Sequence, residues 1–561
     1  MSKATDTVPP PQAASASLPW DVFPTLSERQ ITRMIDHGRR RATVRDEVLV
    51  DLHSKGGSSF LVLSGEVVVR RPDGGAESPI VRYRRGQFSG ETNLITGRPS
   101  VVQVYVAEPG EVIELNRDQL LALIQTDAEL SEILIRSFIL RRVLIVDRDI
   151  RDVIVIGSTH DAGTLRVKGF LTRNSHPFHY VDLDRDRETQ ELLDRFHVSP
   201  SDIPIVVCRD AVVLRDPTNA QIADCLSLNE PIDQTRVSDL VIVGGGPAGL
   251  AAAVYGASEG LSVVVLESNA PGGQAGSSSR IENYLGFPTG ISGHELAERA
   301  YTQAVKFGAR IMVAAGATSL GCNGRHAVVI GGGLTLRARA VIVATGAQYS
   351  KPALDNLSAF EGAGVYYGAT PTETQLCVGE EVVVVGGGNS AGQAAVSLAE
   401  SADRVHMLVR RSTLSETMSR YLIRRIEENP AIVLHHDTEI VGLEGNGRLE
   451  RVVWRSGSEG DTETHDIRHV FIMTGGVPNT GWLNGCVALD QKGFVKTGPD
   501  LSSDDLTAAR WPVGRPPYLL ETSHPGIFAV GDVRSGNVKR VASAVGEGSI
   551  AVAFIHQVLR Q

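Results

Sequence analysis

Two glycine-rich turns each follow an apolar run and precede an Ala-rich segment. The first lies in DLVIVGGGPAGLAAAVYGASEGLSVVVLES, where the apolar run LVIVG leads into Gly244-x-Gly246-x-x-Gly249 and then into an Ala-rich segment. A second apolar run, VVVLE, ends on Glu267, 18 residues beyond Gly249. Gly244 suits a tight turn, Gly246 lets backbone approach a pyrophosphate, and Gly249 lets helix and strand pack closely. Pro247 and Ala248 open a helix whose free N–H groups would face phosphates, and Glu267 can accept ribose hydroxyls. This is the chemistry of holding a dinucleotide.

The pattern recurs in EVVVVGGGNSAGQAAVSLAESADRVHMLVRRS, with Gly386-x-Gly388-x-x-Ala391 after a strand and Asn389 and Ser390 at the helix opening. Here the second strand ends on Arg410 and Arg411 instead of an acid. Two guanidiniums can grip a 2′-phosphate through bidentate contacts, which predicts NADPH over NADH. Two turns in one chain imply two dinucleotides. Near the C-terminus, GIFAVGD ends on Asp532 and a helix is expected to begin near Val541. A carboxylate there can bind ribitol hydroxyls, and the helix N-terminus can face the N1–O2 edge of a flavin. FAD and NADPH are therefore the expected cofactors.

The elements that must position these turns alternate strand and helix from residue 237 to 561, as in doubly wound dinucleotide-binding domains. Upstream, VIVIGS, HYVDLD and IPIVVC read as strands, with helix-compatible stretches including TQELLDRF between them. That predicts a small α/β module over 151–231. Residues 19–150 read as short strands, with a hairpin signal at Asp73-Gly74 and separate strands at 101–106 and 112–116. A helical stretch over 119–142 follows, so a β-roll with a helical appendage is expected. Residues 1–18 form a Pro/Ala/Ser-rich tail expected to be flexible.

Composition narrows the function classes. The net charge of -10 gives no support for nucleic-acid binding. No apolar run approaches the ~18 residues that span a bilayer, and no signal peptide is expected at the N-terminus. Five cysteines, no two closer than 17 residues, suggest a cytoplasmic setting and argue against a disulfide framework or a metal site.

Residues 237–561 resemble the low-molecular-weight bacterial thioredoxin reductases, through GGGPAGLAAAVY, PGGQ, IENYLGFP, VATG, GGGNSA, VRRS, GGVPNT and GIFAVGD in that order. The resemblance implies an FAD domain split into 237–350 and 480–561, with an NADPH domain inserted at 351–479. It also implies a homodimer. It places Gly273, Gln274, Asn283, Thr345 and Gly346 by the flavin, Asp532 on its ribityl chain, and Arg540, Val541 and Ala542 near the ring. The same resemblance exposes a departure. The positions of the family's two redox cysteines fall at Gly368 and Pro371, and no C-x-x-C occurs anywhere in the chain. Thiol–disulfide exchange needs a thiolate and a resolving partner, so thioredoxin reduction by the usual route is not expected. Cys377, close by, reads as a structural thiol.

Residues 19–150 resemble cyclic-nucleotide-binding domains. FSGETNLITGRPSVV matches the phosphate-binding cassette, with Gly90 at the helix opening and Glu91 at the ribose position. The family arginine falls at Ser100, with Arg98 two residues away, so a structural or docking role is expected over cyclic-nucleotide binding. Residues 151–231 resemble a thioredoxin- or glutaredoxin-like fold with Pro204 as the cis-proline. Ser158, Thr159, His160 and Asp161 stand at its dithiol loop, with His160 read as an exposed loop residue.

Three functions follow. The leading one is an NADPH-oxidising flavoprotein delivering electrons to an unidentified acceptor such as dioxygen, a quinone, ferredoxin or a small disulfide. The second is a redox or nucleotide sensor acting through its N-terminal modules. The third is a genuine thioredoxin reductase.

Overall fold

The computed structural model describes residues 22–70, 79–90, 92–147, 153–159, 161–183, 202–208, 212–322, 326–457, 460–483 and 485–560. The chain divides into two units, residues 1–94 with 100–144, and residues 95–99 with 145–561.

The first unit is a five-stranded antiparallel sheet followed by two helices, Arg117–Thr126 and Ala128–Asp147. The predicted strands at 101–106 and 112–116 are one continuous strand, Gln103–Leu115. It stays paired with Ser59–Arg70 by shifting register around Glu108-Pro109-Gly110. A Cβ at Gly110 would overlap the Ser64 carbonyl, so glycine permits the bulge that keeps the ladder intact. The predicted helix over 119–142 is interrupted at Asp127, which caps the first helix and supplies a carboxylate to the Leu130 N–H of the second at 3.0 Å. The Asp73-Gly74 turn, Glu91, His160 and the segment TQELLDRF lie outside the described residues.

The second unit holds three sheets that matter for the site. In the first, Val153–Gly157 pairs parallel with His179–Asp182 and antiparallel with Ile205–Cys208, which continues to Val212–Arg215. The helix Ala162–Arg173 connects the two parallel strands. The Ile203–Pro204 peptide is cis.

The second sheet runs Arg310–Met312, Val263–Leu266, Val237–Val243, Thr335–Val343, His326–Ile330, Ala317–Gly321, and Ile527–Ala529 pairs parallel with Thr335–Val343. Its central strands are Val/Ile/Leu-rich because both faces are buried. One face meets the helices Pro247–Ser258 and Val541–Leu559, and the other meets the antiparallel strands and the segment around Leu483.

The third sheet is wholly parallel, in the order Val365–Tyr366, His469–Ile472, Glu381–Val385, Arg404–Leu408, Ile432–His435. The ribbon Ala347–Tyr349 with Gly476–Pro478 joins the second and third sheets.

Two expectations from composition are corrected. The helix Val541–Leu559 is long and apolar enough to cross a membrane by length and composition alone. Ser, Gly and Glu residues break up its apolar pattern in the sequence. Ala544, Gly548, Ala551, Val552 and Ile555 are buried, and a Cβ at Gly548 would overlap the Ala248 carbonyl. This close approach packs one face of the helix against Pro247–Ser258. The cysteines are also not all isolated. Cys322 and Cys486 form a disulfide with Cα atoms 6.1 Å apart. The two lie 164 residues apart, a separation that carries no local signal. The chain's return to the second sheet brings them together.

Candidate functional site

The first glycine turn sits where Val237–Val243 enters the helix Pro247–Ser258. Gly244 has φ +110, and a Cβ there would overlap the Ala344 carbonyl oxygen. Gly249 presses on the Gly244 carbonyl equally closely. Gly246 caps the helix without any side chain satisfying its first N–H groups, which leaves those donors for an anion. A Cβ at Gly246 would find only the Gly273 Cα, at 3.8 Å. The space above this turn is therefore open, as a pyrophosphate requires.

Glu267 is buried beneath the turn. It accepts the Gly245 N–H at 2.7 Å and the Asn269 N–H at 2.9 Å. Burial pushes its carboxyl above the usual range, and the backbone donors and Arg173 oppose that rise. Its first task is to rigidify the turn, with acceptor capacity left over for a ribose. Thr345 and Asn479 brace the floor reciprocally, Thr345 Oγ1 donating to the Asn479 carbonyl at 2.8 Å and Asn479 Nδ2 to the Thr345 carbonyl at 2.9 Å. Gly346, at φ +64, follows directly. Asp532 is half-buried, and burial raises its carboxyl, opposed by Lys539 and reinforced by Glu547. Glu547 accepts the Gly531 N–H at 2.7 Å and fixes that turn. Arg540 is the N-cap of the last helix, which starts at Val541 as expected. Gln274, Asn283, Arg540 and Ala542 are exposed.

The second turn repeats the backbone of the first. Gly386 has φ +145, and a Cβ there would run into the Met473 carbonyl oxygen. Gly388 caps the helix Asn389–Leu398 with no side-chain cap, and nothing lies within 4 Å of its Cβ position. Ala391 is buried in the core of this part of the unit. Asn389 uses its side-chain oxygen to accept the Ser419 N–H at 2.7 Å, so it braces the next helix. Arg410 and Arg411 are both exposed beyond Arg404–Leu408, and Arg411 is paired with Glu416. Of the two, Arg410 is the less committed cation.

Residues that sequence reasoning missed lie between the turns. Tyr349 hydrogen-bonds Ser390 of the second turn and also feels the Asp532 carboxylate. Burial raises its phenol, so it stays protonated. It ends the connecting ribbon, and only the sequence VATGAQYS hinted at a crossing segment there. Gly368 faces the flavin side of the unit, since a Cβ there would lie 4.0 Å from Ser277 Oγ. The short helix Pro371–Leu376 carries Glu373, whose carboxyl is raised by burial and which accepts from Thr370. Cys377 is fully buried, donates to the Glu373 carbonyl at 3.3 Å, and burial pushes its thiol up to about 12. It is a core residue, as expected. The Cys322–Cys486 disulfide packs against the sheet face opposite the two cradle helices of the flavin-side domain.

The cassette residues behave differently. Gly90 has φ +127, and a Cβ there would crowd the Phe138 ring at 2.8 Å. Its carbonyl accepts Arg141 Nη1 at 3.0 Å. Ser100 Oγ donates to the Val102 carbonyl at 2.8 Å. Arg98 belongs to the second unit, where Nη1 donates to the Asn174 carbonyl at 3.0 Å and the guanidinium lies over Tyr301. Ser100 thus commits its hydroxyl to one backbone carbonyl and Arg98 commits Nη1 to another.

Open space above two helix N-termini, a buried acid under one and an arginine pair beside the other fit an FAD and an NADPH. Residues 238–548 match the family described as pyridine nucleotide-disulphide oxidoreductase, and residues 40–127 match the cyclic nucleotide-binding domain. The chain is 34% identical over 313 residues to a thioredoxin reductase of Treponema pallidum, covering 56% of this chain and 94% of that protein. It is 30% identical to a thioredoxin reductase of Bacillus subtilis, over 59% of this chain and 97% of that one. Among solved structures, thioredoxin reductase from T. acidophilum is matched in full over 58% of this chain, at 29% identity and a TM-score of 0.51. From its glycine turns to its final helix, then, the chain belongs to the pyridine nucleotide-disulphide oxidoreductase family, with a cyclic nucleotide-binding domain fused in front.

Proposed function

We propose that the chain oxidises NADPH through FAD and delivers the electrons to an acceptor without using a C-x-x-C pair. The observation that carries this reading is the presence of two open phosphate turns on a chain whose sequence contains no C-x-x-C. When bound, NADPH supplies the hydride and FAD takes it up. The chain's own residues bind and orient. Gly244, Gly246, Pro247, Ala248, Gly249 and Glu267 hold one dinucleotide. Gly273, Gln274, Asn283, Thr345, Gly346, Asp532, Arg540, Val541 and Ala542 complete that site. Gly386, Gly388, Asn389, Ser390, Ala391, Arg410 and Arg411 hold the other. Tyr349, protonated and bonded to Ser390, ties the nicotinamide-side turn to the ribbon that leads to the flavin side. No side chain has to act as general acid or base in this half-reaction.

With Gly368 and Pro371 at the positions aligned with the family's redox cysteines, no thiolate stands at that loop. The strand order, the cis Ile203–Pro204 bond and the absence of a cysteine at 158–161 support a thioredoxin-like module without its dithiol. A homodimer and a cytoplasmic setting belong to the same reading, and sedimentation checks the first. Aerobic and anaerobic NADPH oxidation should be followed with dioxygen, a quinone, ferredoxin and thioredoxin in turn. Sustained turnover with one of the first three and none with thioredoxin is expected. Thioredoxin-dependent oxidation by the pure protein would overturn the acceptor assignment, and reduction limited to one equivalent with every acceptor would favour a sensor.

A further inference from the structure

Arg173 ends the helix Ala162–Arg173 of the small α/β module, yet its guanidinium reaches the flavin-side turn. Its Nη2 donates to the Gly273 carbonyl at 2.8 Å. Gly273 stacks on Gly246, since a Cβ at Gly273 would lie 3.0 Å from the Gly246 Cα. Arg173 is thus one residue's width from the turn where a pyrophosphate would rest. Its Nε is buried and has no hydrogen-bond partner. Burial weakens its hold on the proton, opposed by the carboxylates of Glu267 and Glu373, yet among the described residues it forms no ion pair with either. A guanidinium has five N–H donors, and leaving a buried charged donor unpaired is costly.

The helix end is held in place by its neighbours. Asn174 Nδ2 donates to the Asn269 carbonyl and Asn219 Nδ2 to Asn269 Oδ1, both at 3.3 Å. Ser175 Oγ donates to Glu298 at 2.5 Å. Asn229 and Val313 bond reciprocally at 2.9 and 2.8 Å, and Val313 joins the module's apolar core. The module is therefore fixed against the flavin-side domain at Asn269 and Gly273, which border the turn, and at Glu298 and Val313.

We propose that Arg173 is a ligand of the FAD pyrophosphate, so that the fused α/β module completes the flavin site from outside the flavin-binding domain. This rests on the FAD reading above. A pyrophosphate adds two negative charges beside Glu267, while a helix N-terminus supplies only about half a positive charge. Arg173 supplies a full one, with an unused donor on the same side chain. The module thereby becomes a cofactor-retaining element, a role that needs no dithiol.

FAD affinity of the full chain, stripped of flavin and refilled, is the readout, followed by quenching of flavin fluorescence at low and high salt. Arg173→Met should weaken FAD binding by about ten- to hundredfold and flatten its salt dependence. Arg173→Lys should lose less and keep the salt dependence, because the charge remains. Asn229→Ala loosens the same junction away from the turn and should leave FAD affinity within about twofold of wild type, the scatter expected where no contact is removed. Riboflavin, which lacks the pyrophosphate, should bind wild type and Arg173→Met alike. Equal FAD affinity in wild type, Arg173→Met and Arg173→Lys would overturn the proposal. So would an equal loss in Asn229→Ala, which would make the effect one of docking. If Arg173→Met does not fold, an unchanged affinity and salt dependence in Arg173→Gln and Arg173→Lys overturns it instead. A wild type that takes up no FAD would sink the FAD reading itself.

Discussion

In the flavin-side turn Glu267 is buried and already bonded to Gly245 and Asn269, and Arg173 presses in from a second module. In the nicotinamide-side turn the charged residues Arg410 and Arg411 are exposed, and one of them is occupied by Glu416. The backbone of the two turns is nearly the same, down to a first glycine in the left-handed region whose Cβ would meet a carbonyl of the neighbouring strand. The difference lies in what surrounds them. One is prebuilt and enclosed, suited to a resident cofactor. The other is open and rests on long side chains in water, suited to a ligand that arrives and leaves.

Filling each turn with one methyl group separates the two cradles most strongly. Gly246 has φ -73, and a Cβ there meets only Gly273 at 3.8 Å, so Gly246→Ala should fold normally. The added methyl occupies the pyrophosphate's space, and the purified variant should be colourless, read by its absorption spectrum. Gly388→Ala, with no atom near its Cβ position, should remain yellow but require at least tenfold more NADPH to reduce its flavin, a loss of about 1.4 kcal/mol of binding. A yellow Gly246→Ala, or a Gly388→Ala with unaltered titration, would erase the distinction.

Smaller changes sharpen it. Arg410→Ala should raise the KM for NADPH by about tenfold or more while leaving NADH nearly unaffected, because a charge-assisted contact to the 2′-phosphate is lost. Arg411→Ala should do less, since that guanidinium already pairs with Glu416. Steady-state kinetics with both nucleotides separates the two. The smallest effect is expected at Cys377. With its thiol pushed up to about 12, the thiolate is scarce below pH 9. Alkylation between pH 7 and 9 should leave Cys377 unmodified, and Cys377→Ala should keep its NADPH-dependent flavin reduction.

The strand–turn–helix runs around both turns were legible in sequence because every part of each lies within about thirty residues, the span of one βαβ unit. The start of the last helix at Val541 and the core role of Cys377 were equally local. What escaped is non-local. Tyr349 meets Ser390 only because a ribbon carries the chain from one sheet to the other. Arg173 meets Gly273 across 100 residues and a module junction. Cys322 finds Cys486 because the flavin-side domain is completed after a long insertion. Glycine spacing encodes a cradle, whereas the groups that close over it come from tertiary packing.

One chain that holds both dinucleotides lets a hydride pass between them. Anaerobic titration of the purified, flavin-loaded protein with NADPH tests it most directly. Loss of the flavin absorption band at ~450 nm, a position set by the cofactor, is expected, complete at about one equivalent per flavin. A band that persists in excess NADPH, with FAD demonstrably bound, would contradict it.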